Sequence, residues 1–370
     1  MQAISTTAPR ISSGSAGPVE DAPATGATLR TPVPAAIREA GMDLRWISDS
    51  GIESRELSQL TELLEREDGF LWLDIATCDD AAAAVLSDTL GFHPHAVRDC
   101  REKRRIPKVH TYSDHVFLIL HTLEFEEEGW GHLVELDQFV GDRYLVTVHG
   151  PLSPHVSADA AFRETGSALR RMEAGTLRPR IPAELGHAIV SAMVLGLEQR
   201  LSTIADRVAV YEHSIVRDDE RDPQEVIEQL YGLRHQLLLI RTTASLSREV
   251  YAGRRTMARS TGASPERLAI IEDLMDQYEH LSRLCDAEKD FLDQVLAFHD
   301  ARTVTKMNVA MERLALIAAV LLPVTAISGI YGMNVIVNGQ TDFLHVGAVL
   351  LLMGVIVTVM LTWAKRQGWW

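Results

Sequence analysis

Leu314-Ala-Leu-Ile-Ala-Ala-Val-Leu-Leu-Pro-Val-Thr-Ala-Ile-Ser-Gly-Ile-Tyr331 runs directly into Gly332-Met333-Asn334. A short polar stretch then leads to a second apolar run, Phe343-Leu-His-Val-Gly-Ala-Val-Leu-Leu-Leu-Met-Gly-Val-Ile-Val-Thr-Val-Met-Leu-Thr-Trp363. Between Arg313 and Lys365 the one formally charged residue is Asp342, in the stretch that joins them. Each run is close to the ~20 apolar residues that cross a ~30 Å hydrocarbon layer. The pattern therefore predicts two membrane-spanning helices joined by a loop, residues 332–342, that carries Gly-Met-Asn.

Basic residues set the expected orientation. Lys306 and Arg313 precede the first span, Lys365 and Arg366 follow the second, and residues 334–343 hold neither Lys nor Arg. Positive residues stay inside, so both ends are expected in the cytoplasm and the loop outside. The basic tail is 364–370.

The rest of the chain reads as soluble, and about 300 residues suffice for one large or two medium domains. With 51 Asp+Glu against 36 Lys+Arg the formal charge is −15, a surface that repels nucleic acid and attracts cations. The short basic cluster Arg101-Glu-Lys-Arg-Arg105 is isolated in that acidic background and reads as a solvated segment or one that makes salt bridges between protomers. Cys78, Cys100 and Cys285 show no C-x-x-C spacing, which argues against a disulfide framework or thiolate zinc site and for a reducing compartment. Residues 1–36, rich in Ala, Ser, Thr, Pro and Gly, lack an apolar core of a signal peptide and are expected to be a disordered tail.

Residues 37–155 alternate short strands and helices. Phe70–Ile75, Val116–Leu120, Leu133–Val140 and Tyr144–His149 are β-branched or aromatic runs, and Gly141-Asp142 between the last two fits a hairpin. Ala81–Leu90 and His93–Arg101 read as helices, the second with Pro94 in its first turn. Phe125-Glu-Glu-Glu128 reads as a turn tip. This is the pattern of an α/β domain with a mixed sheet. Residues 156–260 read as helical throughout, with starts at about Ser157, Pro182 and Asp222-Pro223-Gln224-Glu225, the last an acidic cap followed by Pro at the first position.

Ser264-Pro265 opens the last cytoplasmic helix, and Glu266–Leu322 contains neither Gly nor Pro. If continuous, it extends on the order of 86 Å at ~1.5 Å per residue, far more than a bilayer needs. Residues 264–331 are then a stalk that continues as the first span. The alternative is two helices with a joint near His299–Thr303.

Two helices enclose no interior, so a polar path through them needs several copies around an axis. One stripe of the first span is small or polar: Asn308, Met311, Leu314 or Ala315, Ala318, Leu322, Thr325 and Gly329 recur at three- and four-residue spacing. An apolar stretch from Met311 to Leu322 can close a pore by dewetting, while Asn308 and Thr325 offer oxygens. The same stripe also fits ordinary helix packing through small residues. The Gly332-Met333-Asn334 loop favours the first reading. Mg²⁺ sheds its water slowly, and a ring of Asn334 amides can hydrogen-bond the hydrated ion without stripping it. Gly332 lets the backbone turn sharply after the helix.

At this point the chain resembles the CorA family of magnesium transport proteins. The resemblance is carried by Leu322-Pro-Val-Thr-Ala-Ile-Ser-Gly-Ile-Tyr-Gly-Met-Asn334 and by the closing span with Lys365-Arg366. It extends to Leu71–Ile75, Gly91-Phe-His-Pro94, Arg105–Val109, His115–Leu120 and Tyr144–His149, covering about residues 40–370. It implies a homopentameric funnel with an α/β cytoplasmic domain, a pore-lining stalk helix and a second helix outside it. It further implies movement of Mg²⁺, often Co²⁺ or Ni²⁺ too, with Mg²⁺ as both substrate and regulatory ligand and no other cofactor. By position, Asp99 and Asp273 would hold the regulatory ion between neighbouring protomers. Two departures stand out: Arg98 replaces the acid that often precedes Asp99, and residues 335–342 lack a Met-Pro-Glu-Leu type segment. A Zn²⁺ transporter of the same fold and a membrane-tethered metal sensor or scaffold are the alternatives. His93 and His95 could be half a metal site, but lack a partner at ligand spacing and read as a helix cap. No Walker loop, H-E-x-x-H or G-x-S-x-G is present, and no enzymatic activity is expected.

Overall fold

The computed structural model describes residues 41–126, 131–151, 153–217, 223–332 and 343–366. The expected tail 1–36, the Glu127-Glu128 turn tip, the Asp222 cap, Met333 and Asn334 with the rest of their loop, and the last four residues lie outside the described residues.

The first part alternates as β1 (Met42–Ser48), β2 (Gly51–Arg55), α1 (Leu60–Glu65), β3 (Gly69–Ile75), α2 (Asp80–Ala84), α3 (Pro94–Arg101), β4 (Lys108–Thr111), β5 (His115–Phe125), β6 (Gly131–Gly141) and β7 (Tyr144–His149). The strands form one mixed sheet in the order β2-β1-β3-β7-β6-β5-β4. Only β3 and β7 are parallel. They sit mid-sheet, which is why Phe70-Leu-Trp-Leu-Asp-Ile75 is apolar on both faces: Phe70 and Trp72 enter one core, Leu71, Leu73 and Ile75 the other. β7 divides likewise, Leu145 to the first core and Tyr144, Val146 and Val148 to the second. Short helices α1 to α3 cover the second core, and long helices cover the first.

Sequence reading missed β1, β2 and β4. β2 and β4 are edge strands with polar faces, Gly51-Ile-Glu-Ser-Arg55 and Lys108-Val-His-Thr111, so pairing rather than apolar alternation defines them. The helix expected over 81–90 is shorter than that. Asp79 caps α2 through Ala82 N at 2.8 Å, and a wider π turn, Val85–Thr89, follows.

The helical part comprises α4 (Ala158–Ala161), α5 (Arg163–Glu173), α6 (Pro182–Arg217), α7 (Pro223–Ser260), α8 (Pro265–Gly332) and α9 (Phe343–Arg366). The helix expected over 157–171 is broken at Phe162, whose backbone leaves the helical region. α6 lays Leu185, Ile189, Val190, Met193, Val194 and Leu197 on the first core. By length and composition α6, α8 and α9 could each cross a membrane. α6 spends its apolar face on the sheet, whereas the apolar windows of α8 and α9 bury none of their residues.

α7 and α8 pack antiparallel as one strut. Leu230, Leu233, Leu237, Ile240 and Ala244 of α7 meet Leu274, Tyr278, Leu281, Cys285 and Leu292 of α8 in the first core. A ladder of ion pairs flanks that seam: Arg234 to Asp293 at 3.1 Å, Arg241 to Asp286 at 2.5 Å and Arg248 to Glu279 at 2.8 Å. The arginines recur every seventh residue and the acids recur every seventh residue in reverse, which is the charge spacing of a coiled-coil flank. Each exposed pair contributes only about 0.2–1 kcal/mol, so the ladder sets register more than stability.

Candidate ion path and metal-responsive acids

α8 is a single helix of 68 residues, about 100 Å long at ~1.5 Å per residue. It passes through His299–Thr303 without a joint. It also passes through Pro323, whose missing N–H leaves the Ala319 carbonyl without its helical donor. Just beyond that point the Thr325 hydroxyl donates to the Leu321 carbonyl at 2.8 Å. The oxygen of Thr325 stays available as an acceptor, the property expected of it on an ion path.

In the apolar part of α8, partly covered positions fall at Leu316, Ala319, Val320, Pro323, Val324 and Ile327. On α9 they fall at Val349, Met353, Ile356, Val357 and Met360, with Ala364 fully buried in line with them. Each set is one stripe at three- and four-residue spacing, and α8 and α9 are in contact, so the stripes form a single helix–helix seam. Asn308, Met311, Leu314, Ala318, Leu322, Thr325 and Gly329 are all exposed. At 3.6 residues per turn they centre roughly half a turn away from the α9 seam. A Cβ placed on Gly329 would meet nothing within 4 Å. The stripe named from sequence is thus the face of α8 that its own chain leaves bare. Gly332 ends the helix, and Met333 and Asn334 follow outside the described residues.

Below the apolar part, Arg302 of α8 donates to the carbonyls of Ile215 and Val216, the latter at 2.8 Å. Those carbonyls belong to the last turn of α6, which has no helical donors of its own. Near the other end, Arg267 bonds Asp142 on the β6–β7 turn at 2.7 Å. The stalk is therefore fastened to the end of α6 at one end of its cytoplasmic half and to the sheet at the other.

Of the two acids expected to hold a regulatory ion, Asp273 on α8 is the accessible one. Its side chain is 55% exposed and its Oδ2 accepts from His187 Nε2 and Gln277 Nε2, both at 2.6 Å. Asp99, on α3, is 4% exposed at its side chain and both oxygens are taken. Arg104 Nη2 donates to Oδ1 and Lys108 Nζ to Oδ2, each at 2.6 Å. Burial pushes the Asp99 carboxyl up, but the Lys108 and Arg104 cations outweigh it and hold the group below the usual carboxylate range. Within one chain the two acids share no bond. A metal approaching Asp99 meets the Arg104 and Lys108 cations already seated on its two oxygens. Arg98 is exposed beside it.

Arg104 anchors more than Asp99. Its backbone N–H donates to Glu135 Oε2 at 2.7 Å, and its carbonyl accepts from His121 Nε2 at 2.8 Å. The neighbouring Asp137 is fully buried on β6, and burial, reinforced by the Glu135 charge, pushes its pKa well up, so it is protonated far above the usual carboxylate range. Sequence reading saw the basic cluster 101–105 as surface. Arg101 does pair with exposed Asp80, but Arg104 is the inner partner of a buried acid. Its signal was the alternation of basic residues just after an amphipathic helix, too weak to separate from solubility. The seven-residue recurrence of Arg234, Arg241 and Arg248 was legible in sequence and went unread. His93 does cap α3, its Nδ1 accepting from His95 N at 3.1 Å.

The family profile described as CorA-like Mg2+ transporter protein matches residues 67–366. Among curated relatives, the chain is 26% identical over 310 residues to the putative metal ion transporter YfjQ of Bacillus subtilis, covering 83% of this chain and 92% of that one. It is 25% identical over 288 residues to the cobalt/magnesium transport protein CorA of Thermotoga maritima, covering 77% and 78%. Among solved structures, the CorA magnesium transporter of Methanocaldococcus jannaschii superposes with a TM-score of 0.72 at 19% identity, over 89% of this chain and 98% of that one. The full-length CmaX protein superposes with a TM-score of 0.68 at 19% identity. At under 25% identity, both likenesses show a shared fold. With a profile match spanning most of its length, from β3 to the end of α9, this chain belongs to the family of CorA-like Mg2+ transporter proteins.

Proposed function

We propose that five copies of this chain surround an axis and conduct Mg²⁺, with Co²⁺ or Ni²⁺ as further substrates, across the cytoplasmic membrane, both termini lying in the cytoplasm. The observation that carries this reading is the bare stripe of α8. Asn308, Met311, Leu314, Ala318, Leu322, Thr325 and Gly329 lie opposite the α9 seam and are exposed in the single chain. A lipid-facing helix needs no Asn308, Thr325 or Gly329 on its bare side, whereas a helix packed around an axis uses small and polar positions there, with Met311, Leu314 and Leu322 between them as an apolar constriction. α9 then stands outside α8, toward lipid. Gly332-Met333-Asn334 forms the outer mouth, where amide oxygens greet the hydrated ion.

Regulation follows from the way the stalk is fastened. Intracellular Mg²⁺ held at Asp273 between protomers would join neighbouring stalks and favour the closed arrangement. Losing the ion shifts the population toward open. Asp99 joins that site when the ion takes the place of Lys108, the more exposed of its two cations at 43% against 36% for Arg104.

The test is Mg²⁺ uptake into proteoliposomes containing the full chain. Asn334→Ala is expected to cut uptake at least tenfold with the oligomer intact by light scattering. Unchanged uptake refutes the mouth, and wild-type vesicles impermeable to every divalent ion refute the transport reading, leaving a tethered sensor.

A further inference from the structure

At the end of the β5–β6 hairpin, away from α8 and α9, three ligand-type side chains converge. The strand register pairs Glu124 with His132, so both project from one face, and Glu126, the residue after β5, turns its carboxylate onto His132. His155, on the segment between β7 and α4, joins them. Glu126 Oε1 is 2.8 Å from His132 Nε2 and 2.8 Å from His155 Nδ1. The two imidazoles lie parallel within 6°, with centroids 5.0 Å apart. The potential ligand atoms of all three lie within 4.8 Å of one another.

Two further features distinguish this cluster from a chance surface contact. Val134 of β6, two residues beyond His132, packs with Val156, Ala160 and Ala161 in a small core of its own. That core ties the His155 segment to the strand bearing His132 and holds the two rings in place before any ligand arrives. Among the described residues, Glu124, which the register sets opposite His132, is already held by Arg163 and Arg200. The donor set is therefore two imidazole nitrogens and one carboxylate, with the remaining position left to water. Side-chain exposures of 23% for His132, 31% for Glu126 and 60% for His155 leave an open approach.

We propose that Glu126, His132 and His155 form a binding site for a divalent transition-metal ion of the Zn²⁺, Co²⁺ or Ni²⁺ class, separate from the ion path. Imidazole suits these ions and not Mg²⁺, which takes oxygen ligands in an octahedral shell. Metal–nitrogen and metal–oxygen bonds of ~2.0–2.2 Å set ligand atoms about 3.3 Å apart around a four-coordinate ion. The two Glu126–imidazole separations of 2.8 Å thus need to open by about 0.5 Å, and the two ring nitrogens already lie within 4.8 Å of each other. On binding, each neutral ring presents the nitrogen that now faces Glu126, its proton moving to the other ring nitrogen. The ion would staple the hairpin to the segment before α4. The site does not depend on the transport reading.

The test is titration of the full chain in detergent, stripped of metal, with Co²⁺ in the presence of millimolar Mg²⁺ to occupy hard-cation sites. Bound metal is counted by equilibrium dialysis and its ligand field read by visible absorption. The expected result is one Mg²⁺-resistant equivalent per chain with a visible ligand-field band, both lost in His132→Ala/His155→Ala. His155→Ala alone, truncating a side chain that is mostly in solvent, keeps the fold and weakens Co²⁺ at least tenfold. Wild type lacking the Mg²⁺-resistant equivalent, or the double variant retaining it with an unchanged band, overturns the site.

Discussion

Removing the cations from Asp99 rather than Asp99 itself gives the sharper perturbation. The acid is 4% exposed, while Arg104 and Lys108 are 36% and 43% exposed. Asp99→Asn leaves two cations that can rehydrate, so its cost lies near that of a surface pair, about 1 kcal/mol. Arg104→Met/Lys108→Met leaves a buried carboxylate with no partner, a loss on the order of 3 kcal/mol. Protonation limits that loss: taking up a proton at pH 7 on an acid of ordinary pKa ~3.9 costs about 4 kcal/mol. The Arg104 substitution keeps the backbone bonds to Glu135 and His121. For a domain of this size each kcal/mol shifts the melting temperature by about 2–4 °C, so the double variant is expected about 6–12 °C below wild type. Adding Asp99→Asn to it should recover most of the loss. The assay is intrinsic fluorescence melting of the full chain in detergent, because Trp46 and Trp72 are buried in the two cores on either side of the sheet. The pH dependence carries the sign. In wild type the folded pKa of Asp99 is depressed, so its contribution is full above the unfolded value of ~3.9 and fades as pH falls through the folded one. In the double variant burial acts unopposed and raises that pKa, so its deficit shrinks as pH falls from 7 toward 4. A double variant that melts with wild type, or that Asp99→Asn fails to rescue, refutes the view of Asp99 as a buried acid held by its own chain.

The remaining expectations concern the stalk and the path. Gly329→Leu meets no neighbour in the single chain and gains up to ~1 kcal/mol of helix propensity. Mg²⁺ flux should nevertheless fall at least tenfold if that face lines an axis, while Gly354→Leu on α9, off the α8 seam, leaves flux within twofold; equal effects would remove the stripe from the path. Asp273→Asn should weaken Mg²⁺ protection of the stalk against protease, and unchanged protection eliminates Asp273 as a ligand. Arg302→Ala uncaps the last turn of α6, and a net ~1.4 kcal/mol for the lost charged bonds predicts roughly tenfold faster amide exchange there. Exchange unchanged in that turn would show the cap to be idle.

Two nearly uncharged runs of about 20 apolar residues flanking Gly-Met-Asn announced α8 and α9 in sequence, whereas α6, also long and apolar enough, is told apart only by the core it covers. The central strands were equally legible, since Phe70–Ile75 and Tyr144–His149 are buried on both faces and carry the burial in their composition. The edge strands β2 and β4 were not, for their pairing partners supply what their side chains do not advertise. Local pattern also named the stripe on α8, a matter of spacing on one helix. Which way that stripe faces came from packing: only the placement of α9 makes Thr325 and Gly329 bare rather than covered. The same holds for the acids. Sequence position paired Asp99 with Asp273 as like candidates, but the tertiary structure buries one between Arg104 and Lys108 and leaves the other in water. Glu126, His132 and His155 converge from a hairpin and a separate loop, and a ligand set assembled across distant segments has no periodicity for a linear reading to find.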